Sequence, residues 1–416
     1  MPCAGGEAMN PLDDAAHRAF LIADAHRALD FFDASLRPQG GFHALDHDGT
    51  PLDGPQELHV TTRMVHCQAL AQMAGRDDRA GVMDHGMQAL WHLHRDADHG
   101  GYHWALRDGQ PVEGPKLAYG HVFVLLAASG ALMRGHPLAR PLFDDITRVL
   151  DAHFWDEDAG LFRDEFTRDW RPFSTYRGMN ANMHGVEALL AAHEATGARV
   201  FLDRAGRILD FFVTRQAAAR DWRIPEHYGA DWRPDPDYAG DPMFRPAGTT
   251  PGHSVEMARL TLHWWDLAGR PDDGTPDRAR ALVDRALADA WDAEQGGLAY
   301  TIAIGGGVAD PARYWWPVTE AIGALAALLK LDPRPGDADW YRRLWDFADR
   351  RLIDHARGGW FPQAGPDGPV QDGHFAGKPD LYHALQADLL PLAPGLSRQM
   401  GDLSQARPLR LTERVG

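Results

Sequence analysis

The residues best suited to chemistry in this sequence include two histidines, each at the start of an apolar helical segment. His253 follows Thr-Pro-Gly within residues 245–265 (RPAGTTPGHSVEMARLTLHWW), and Glu256 lies three residues later. Residues three apart share one face of a helix, so the Glu256 carboxylate could accept the ring N–H of His253 and fix its tautomer. The positive end of the helix dipole favours a neutral imidazole, which can act as a base.

The second histidine, His383, follows an X-Pro break in residues 377–390 (GKPDLYHALQADLL). Its position resembles that of His253, at the opposite end of the chain. We predict that the two histidines line one pocket, face each other across a gap the size of a sugar, and move a proton on an open-chain sugar.

A repeat positions these residues. Glycine-rich segments that are typical of short hairpins recur about every 60 residues, and each is followed by two helical stretches. The segments are 38–49, 100–109, 159–166, 296–307 and 358–368. Residues 222–232 occupy the position between the third and fourth of these, without the pair of glycines. Six helix pairs predict an all-α fold, an (α/α)6 barrel with hairpins and loops at one mouth. We predict a single domain over 1–416, with about 1–13 and 392–416 peripheral or partly flexible.

One polar or aromatic residue in each repeat unit lies at an equivalent place, early in the first helix of the pair. These residues are Arg63, Tyr119, His184, His253, Trp316 and His383. Because they are in register, they should meet at one end of the barrel. Ordinary helix capping is the alternative explanation, but Arg, His and Trp are poor N-caps.

The other roles follow from side-chain chemistry. A guanidinium such as that of Arg63 can hold a substrate oxygen and stabilise developing negative charge. Tyr119 and Trp316 offer flat faces for a sugar ring. Asn180 and His184 form a polar cluster ahead of an apolar run, which favours hydroxyl recognition.

Composition and charge exclude several classes of protein. A net charge of −17 over 416 residues argues against nucleic acid or an anionic membrane as partner. Two cysteines, Cys3 and Cys67, cannot form a disulfide framework or a cysteine-based zinc site. We find no pattern of a signal peptide or a membrane span, and so expect a cytoplasmic protein, a monomer or homodimer.

Metal and nucleotide chemistry have little support. The pairs 184/187 and 253/256 have His-x-x-Glu spacing, but too few carboxylates in register accompany them to complete a di-metal site. No phosphate-binding glycine loop follows a predicted strand. We therefore predict no metal and no cofactor.

Several motifs together resemble the N-acylglucosamine 2-epimerase superfamily, in particular its aldose–ketose isomerase branch. They are ELHVTTRM, KLAYGHVFVLLA, YRGMNANMHGVEALLAA, RIPEHYGADWRPDPDY, PGHSVE, RYWWPVTEA and GKPDLYHALQ, and they span about residues 38–391. The resemblance implies an (α/α)6 barrel that needs no metal for chemistry.

The same resemblance implies roles for individual residues. His253 and His383 would be the acid/base pair, and Arg63 and His184 would contact the substrate. Four further positions match the family's pocket: Tyr119, Asn180, Glu256 and Trp316.

The predicted function is a cofactor-independent aldose–ketose isomerase that converts D-mannose to D-fructose through a cis-enediolate. A sugar 2-epimerase or a sulfoquinovose isomerase is the nearest alternative. More distant alternatives are a non-catalytic sugar-binding toroid and an (α/α)6 glycoside hydrolase. The hydrolase would need two opposed carboxylates, for which the candidates are Glu226, Glu256, Glu320 and Asp380.

Overall fold

The computed structural model describes residues 10–112, 114–238, 240, 245–370 and 373–411. The described residues form thirteen α-helices: α1 (Ala15–Phe31), α2 (Leu58–Met73), α3 (Ala80–Ala89), α4 (Ala118–Met133), α5 (Ala139–Val149), α6 (Met179–Thr196), α7 (Arg199–Leu209), α8 (Pro251–Leu267), α9 (Thr275–Ala290), α10 (Trp315–Leu331), α11 (Asp337–Arg351), α12 (Tyr382–Leu392) and α13 (Gln399–Ala406). None of these helices is long and apolar enough to cross a membrane.

The even-numbered helices α2 to α12 form an inner ring. Each packs against the next, and α12 packs against α2, which closes the ring. The residues of α4 and α10 are buried around almost the whole helix circumference, as expected for helices enclosed on all sides. Helices α5, α7, α9 and α11 are amphipathic, and α3, α5, α7, α9 and α11 each pack outside the preceding inner helix. The predicted (α/α)6 architecture is confirmed.

The sixth helix pair differs from the expected repeat. After α12 the chain runs into Ala393-Pro394-Gly395, and no second helix of a pair follows. Instead α1, from the start of the chain, packs against α12 as its outer partner. The repeat of one hairpin and two helices therefore holds for five units, and the two ends of the chain build the sixth together.

Short antiparallel strands occupy one mouth of the ring. The described strands are β1 (Gln56–Glu57), β2 (Ala105–Arg107), β3 (Gln110–Val112), β4 (Lys116–Leu117), β5 (Trp155–Asp156), β6 (Leu161–Phe162), β7 (Glu165–Phe166), β8 (Arg177–Gly178), β9 (His227–Tyr228), β10 (Thr301–Ile302), β11 (Val308–Asp310), β12 (Arg313–Tyr314) and β13 (Gln363–Ala364). They pair as β1-β2-β3, β4-β7, β5-β6, β8-β9, β10-β11 and β12-β13.

One kind of pairing recurs around the ring. The residues that lead into each inner helix pair with the hairpin region of the next unit, as β1 does with β2 and β4 with β7. The last such pairing joins the two ends of the chain, because Lys378 N–H donates to the carbonyl of Leu45 at 2.9 Å. Gly377 makes this possible, since a Cβ there would lie 2.0 Å from the Leu45 oxygen. All six inner helices therefore begin at the hairpin mouth.

The C-terminal segment closes the other end of the barrel. Helix α13 packs on α2 and α6, and the N–H of Leu409 donates to the carbonyl of Ala74, just beyond α2, at 2.7 Å. Met400, Leu403 and Leu409 are buried. The predicted single domain and partly flexible ends stay predictions, and Cys3, residues 1–9 and residues 412–416 lie outside the described part of the chain.

Candidate active site

A cavity of about 280 Å³ opens at the hairpin mouth, where the inner helices begin. All eight predicted site residues line it: Arg63, Tyr119, Asn180, His184, His253, Glu256, Trp316 and His383. Each lies within the first two turns of its helix, and the six helices start at the same end, so the register of the repeat carries the side chains to one place. The repeat pattern thus predicted the location of the cavity.

A carboxylate holds His253, but it is not the predicted one. Nδ1 of His253 lies 3.0 Å from both oxygens of Glu226, which precedes β9 in the inserted loop. Glu226 also accepts the N–H of Thr250 at 3.1 Å, just before α8. Glu256 instead approaches His184 and Arg259, with 3.6 Å contacts to each. The predicted pairing of His253 with Glu256 is therefore wrong, because the side chain of Glu256 is directed to the barrel axis.

His383 has a carboxylate partner of its own. Nδ1 of His383 lies 2.9 Å from Oε1 of Glu320, on the neighbouring inner helix α10. The second oxygen of Glu320 accepts hydrogen bonds from Arg259 of α8, at 2.9 Å from Nη2 and 3.3 Å from Nε. Burial alone would raise the pKa of Glu320, but the positive charge of Arg259 and the contact with His383 lower it. Glu320 is therefore an ionised acceptor.

Both histidines consequently expose the same nitrogen to the cavity. An ionised carboxylate can only accept, so Nδ1 carries a hydrogen in each ring and Nε2 is the atom left for a substrate. Trp316 lies beside both rings, with centroid distances of 4.9 Å to His253 and 6.0 Å to His383. Gly252 allows the close approach of Trp316, since a Cβ at Gly252 would lie 2.4 Å from the indole.

Arg63 is fixed at the opposite wall. Its Nη1 donates to Asp380 and its Nη2 to the hydroxyl of Tyr119, each at 2.8 Å. Its guanidinium also lies 4.6 Å and 4.8 Å from the ring centroids of Phe123 and Tyr382. Burial would lower the pKa of Arg63, but Tyr119 and Asp380 outweigh it and raise the pKa. Arg63 thus stays charged while its geometry is held by three helices.

His184 and Glu256 form a polar floor to the cavity. Nδ1 of His184 and both carboxyl oxygens of Glu256 are buried without a hydrogen-bond partner. Burial lowers the pKa of His184 to about 4. Burial, together with the charge of Glu320, raises the pKa of Glu256 well above its usual range. A neutral imidazole and a neutral carboxylic acid facing the cavity are suited to exchange hydrogen bonds with sugar hydroxyls.

The same floor contains the donor set closest to a metal site among the described residues. Ligand atoms of His184, Glu187 and Glu256 lie within 4.8 Å of one another, and all three residues are buried. Imidazole and carboxylate suit a divalent cation. However, the Arg259 guanidinium is 3.6 Å from Glu256, so a fixed positive charge already lies beside these ligands. The prediction that no metal is needed stays a prediction.

Asn180 borders a second cavity as well as the first. This side cavity of about 250 Å³ shares Glu57, Tyr119 and Asn180 with the main one. Oδ1 of Asn180 is buried without a partner. Asn180 is thus placed at the junction of the two spaces, with an acceptor free for a ligand.

Sequence reasoning missed the residues that orient the histidines. Glu226, Glu320 and Asp380 were predicted as candidate carboxylates of a hydrolase and not as partners of the histidines or of Arg63, and Arg259 was not singled out. Arg259 and Glu320 do carry a signal, since each is a charged residue on a strongly apolar helix. Glu226 lies in a loop without periodicity, and no pattern in the sequence links it to His253.

Comparison with known proteins assigns the chain to a class. The sequence model of N-acylglucosamine 2-epimerase (GlcNAc 2-epimerase) matches residues 40–387. The (α/α)6 ring and the match over most of the chain place the protein in the N-acylglucosamine 2-epimerase family, to which it belongs.

Within that family the chain is similar to proteins named D-mannose isomerase. It is 42% identical over 397 residues to the one from Thermobifida fusca, covering 92% of this chain and 97% of the relative. The relative from Pseudomonas cannabina pv. alisalensis is 38% identical over 401 residues, covering 93% and 96%.

Solved structures agree with the fold. A crystal structure of D-mannose isomerase matches with a TM-score of 0.84 at 32% identity, covering 90% of this chain and 97% of that one. Cellobiose 2-epimerase from Spirochaeta thermophila matches with a TM-score of 0.79 at 23% identity, covering 92% and 96%, and shares the fold.

Proposed function

We propose that the protein is an aldose–ketose isomerase that interconverts D-mannose and D-fructose without a cofactor, with His253 and His383 as its catalytic residues. The observation that carries the proposal is the pair of His–Glu contacts at one cavity, His253 with Glu226 and His383 with Glu320. Each contact leaves Nε2 of a histidine for proton transfer. The names of the relatives support D-mannose as the sugar.

The reaction needs two proton transfers, and two histidines can divide them. After the ring opens, His383 removes the C2 proton, the C–H electron pair forms the C1=C2 bond of a cis-enediolate, and the π electron pair of the C1=O bond moves to O1. The proton on His383 exchanges with solvent, and His383 then delivers a proton to C1. His253 supplies a proton to O1 and accepts the proton that O2 releases, so the sum is one aldose converted to one ketose. Positioned acid–base groups of this kind contribute about 10²–10⁴-fold each.

The remaining cavity residues bind the sugar in this proposal. Arg63 and His184 contact the oxygens on which negative charge develops, and Glu256 in its neutral form donates to a hydroxyl. Asn180 and Tyr119 bind hydroxyls further along the chain. Trp316 packs against the carbon skeleton between the two histidines.

The charges of the cavity support a neutral sugar over a phosphate or sulfonate. Of the described residues that line the cavity, Arg63 alone is a lysine or arginine, and Asp380 already pairs with it at 2.8 Å. An anionic sugar would therefore meet no free cation. One relative at 28% identity is named mannose-6-phosphate isomerase, and Asp380 argues against that substrate here.

The hydrolase alternative loses three of its four candidate carboxylates, which leaves Glu256 without the opposed second carboxylate that such a reaction needs. Glu226 and Glu320 are engaged by histidines, and Asp380 is engaged by Arg63. Glycosidase structures match this chain at 11–13% identity, which reflects the fold alone. The proposal includes a cytoplasmic monomer or homodimer without nucleic-acid or membrane partners, for which the net charge of −17 is support.

The test is product analysis by NMR in deuterated water, with mannose, glucose, N-acetylmannosamine, sulfoquinovose and mannose 6-phosphate offered separately. We expect fructose from mannose with deuterium incorporated at C1. Glucose formed directly from mannose would instead indicate a 2-epimerase. His253→Asn and His383→Asn should each lower kcat by about 10²–10⁴-fold while sugar binding remains. A variant that keeps most of its activity would remove that histidine from the mechanism.

A further inference from the structure

The two His–Glu contacts differ in charge. Among the described residues, no lysine or arginine forms an ion pair with Glu226, and its other hydrogen bond comes from the main-chain N–H of Thr250. Glu320, in contrast, accepts two hydrogen bonds from Arg259. His253 therefore faces a full negative charge, whereas His383 faces a carboxylate that a guanidinium has largely neutralised.

Arg259 cannot act on a substrate directly. Its side chain is 1% exposed and does not line the main cavity. It borders a separate chamber of about 40 Å³ towards the other end of the barrel, beside His66, His263 and Gln399. Any effect on the reaction must pass through the residues that Arg259 contacts.

The groups around Arg259 come from each helix packed against it. The groups that act on the Arg259 guanidinium are three carboxylates and one phenol: Glu320 of α10, Glu187 of α6, Glu256 of α8 itself and Tyr382 of α12. Burial would lower the pKa of Arg259, but the carboxylates outweigh it and raise the pKa. Glu187 is engaged by the hydroxyl of Tyr382. Arg259 thus stays a cation, and Glu320 is the carboxylate to which it is hydrogen-bonded.

The groups facing His383 leave Glu320 as its direct charged contact. On α10 these are Glu320 and the rings of Trp315 and Trp316. Arg63 of α2 forms an ion pair with Asp380, which lies just ahead of α12. His184 of α6 also lies near His383, and burial keeps that imidazole neutral by lowering its pKa to about 4. Neutralising Glu320 therefore removes the main influence that would hold a proton on His383.

We infer that Arg259 is a positioning residue that keeps His383 neutral, as the base for the C2 proton, while the uncompensated Glu226 leaves His253 as the proton carrier. The inference rests on the proposed isomerase function and adds to it the residue that makes the two histidines unequal. In this inference the charge of Arg259 determines which histidine is the base at the start of the reaction. Arg259 exerts this effect from within the barrel wall, where it does not contact the sugar.

The experiment compares Arg259→Met with Arg259→Lys, whose side chains are of similar length but of which only lysine keeps the positive charge. In Arg259→Met, Glu320 acts on His383 with its full charge, so the acid side of the kcat/KM pH profile should move up by about one pH unit. The change should appear in kcat, with KM for mannose within about twofold. Arg259→Lys should retain the wild-type profile, and Glu320→Gln should move the acid side in the opposite direction.

A measurement on the wild-type protein covers the case in which Arg259→Met fails to fold. NMR titration of labelled histidine rings, assigned with His253→Asn and His383→Asn, should show the His383 ring gaining its proton at lower pH than the His253 ring. The reverse order, or an unshifted profile in folded Arg259→Met, overturns the inference. Absence of isomerisation by the wild-type protein would instead overturn the proposed function.

Discussion

At the scale of single residues, chemistry at the cavity depends on carboxylates that the substrate does not touch. Glu226 and Glu320 fix the ring nitrogen that each histidine presents. Glu256, by contrast, is a neutral acid at the cavity floor, because burial and the charge of Glu320 raise its pKa. The three buried glutamates of the site thus have two different tasks, and the surroundings of each side chain decide which one it has.

The first residue-scale prediction concerns Glu226. Glu226→Gln should lower kcat by about 10²–10⁴-fold with little change in KM, because an amide can hold either tautomer of His253 and supplies no negative charge. Glu256→Gln is the matched control, and we expect it mainly to raise KM. Steady-state kinetics with mannose measure both. Equal effects of the two substitutions on KM would contradict the separate roles.

At the scale of elements, buried lysines attach the starts of inner helices to the hairpin turns. Lys116, ahead of α4, pairs with Asp96 at 2.8 Å, and Lys378, ahead of α12, pairs with Asp354 at 2.8 Å. Both lysines are almost fully buried. They therefore fix where an inner helix begins, and with it the position of the site residue on that helix.

Lys378→Met should lower the free energy of unfolding by about 3–5 kcal/mol, because it leaves the carboxylate of Asp354 buried and unpaired. Urea denaturation followed by circular dichroism gives the value. The double variant Lys378→Met/Asp354→Asn should lose less than the sum of the single variants, since the unpaired charge is then absent. A change below about 1 kcal/mol for Lys378→Met would show that the pair does not fix this part of the ring.

At the scale of the whole molecule, the ring is closed by the two ends of the chain. Helices α1 and α12 come from opposite ends and form the sixth pair. At this seam Asp388 of α12 is fully buried with neither carboxyl oxygen hydrogen-bonded. Burial, and then the nearby Asp24 of α1, raise the pKa of Asp388 well above its usual range. A charged Asp388 would therefore weaken the closure of the ring.

This seam predicts a pH dependence of stability. Because the pKa of Asp388 is higher in the folded state than in the unfolded state, unfolding releases a proton, and stability falls as pH rises above the ordinary aspartate value. Asp388→Asn should therefore be more stable than the wild type at pH 7, by about 1–3 kcal/mol, and equally stable near pH 3. Urea denaturation at both pH values measures the difference. A variant less stable at pH 7 would show that Asp388 has a compensating partner.

The sequence by itself determined the ring and the place of the cavity. The sequence shows hairpins at a fixed period, each followed by an apolar helix, and this pattern specifies the local structure. When a hairpin and its inner helix recur six times, few arrangements bury all the apolar faces. The register of Arg63, Tyr119, His184, His253, Trp316 and His383 within the repeat then brought them to one mouth. These features depend on short-range spacing, which a single sequence displays.

Only the tertiary structure decided which charges meet. Glu226 reaches His253 across 27 residues and Glu320 reaches His383 across 63, whereas the near neighbour Glu256 turns to the barrel axis. The pairing of α1 with α12 is likewise a contact between distant segments. Hydrogen bonds and ion pairs form between side chains that packing brings together. The spacing of residues along the chain does not predict that packing.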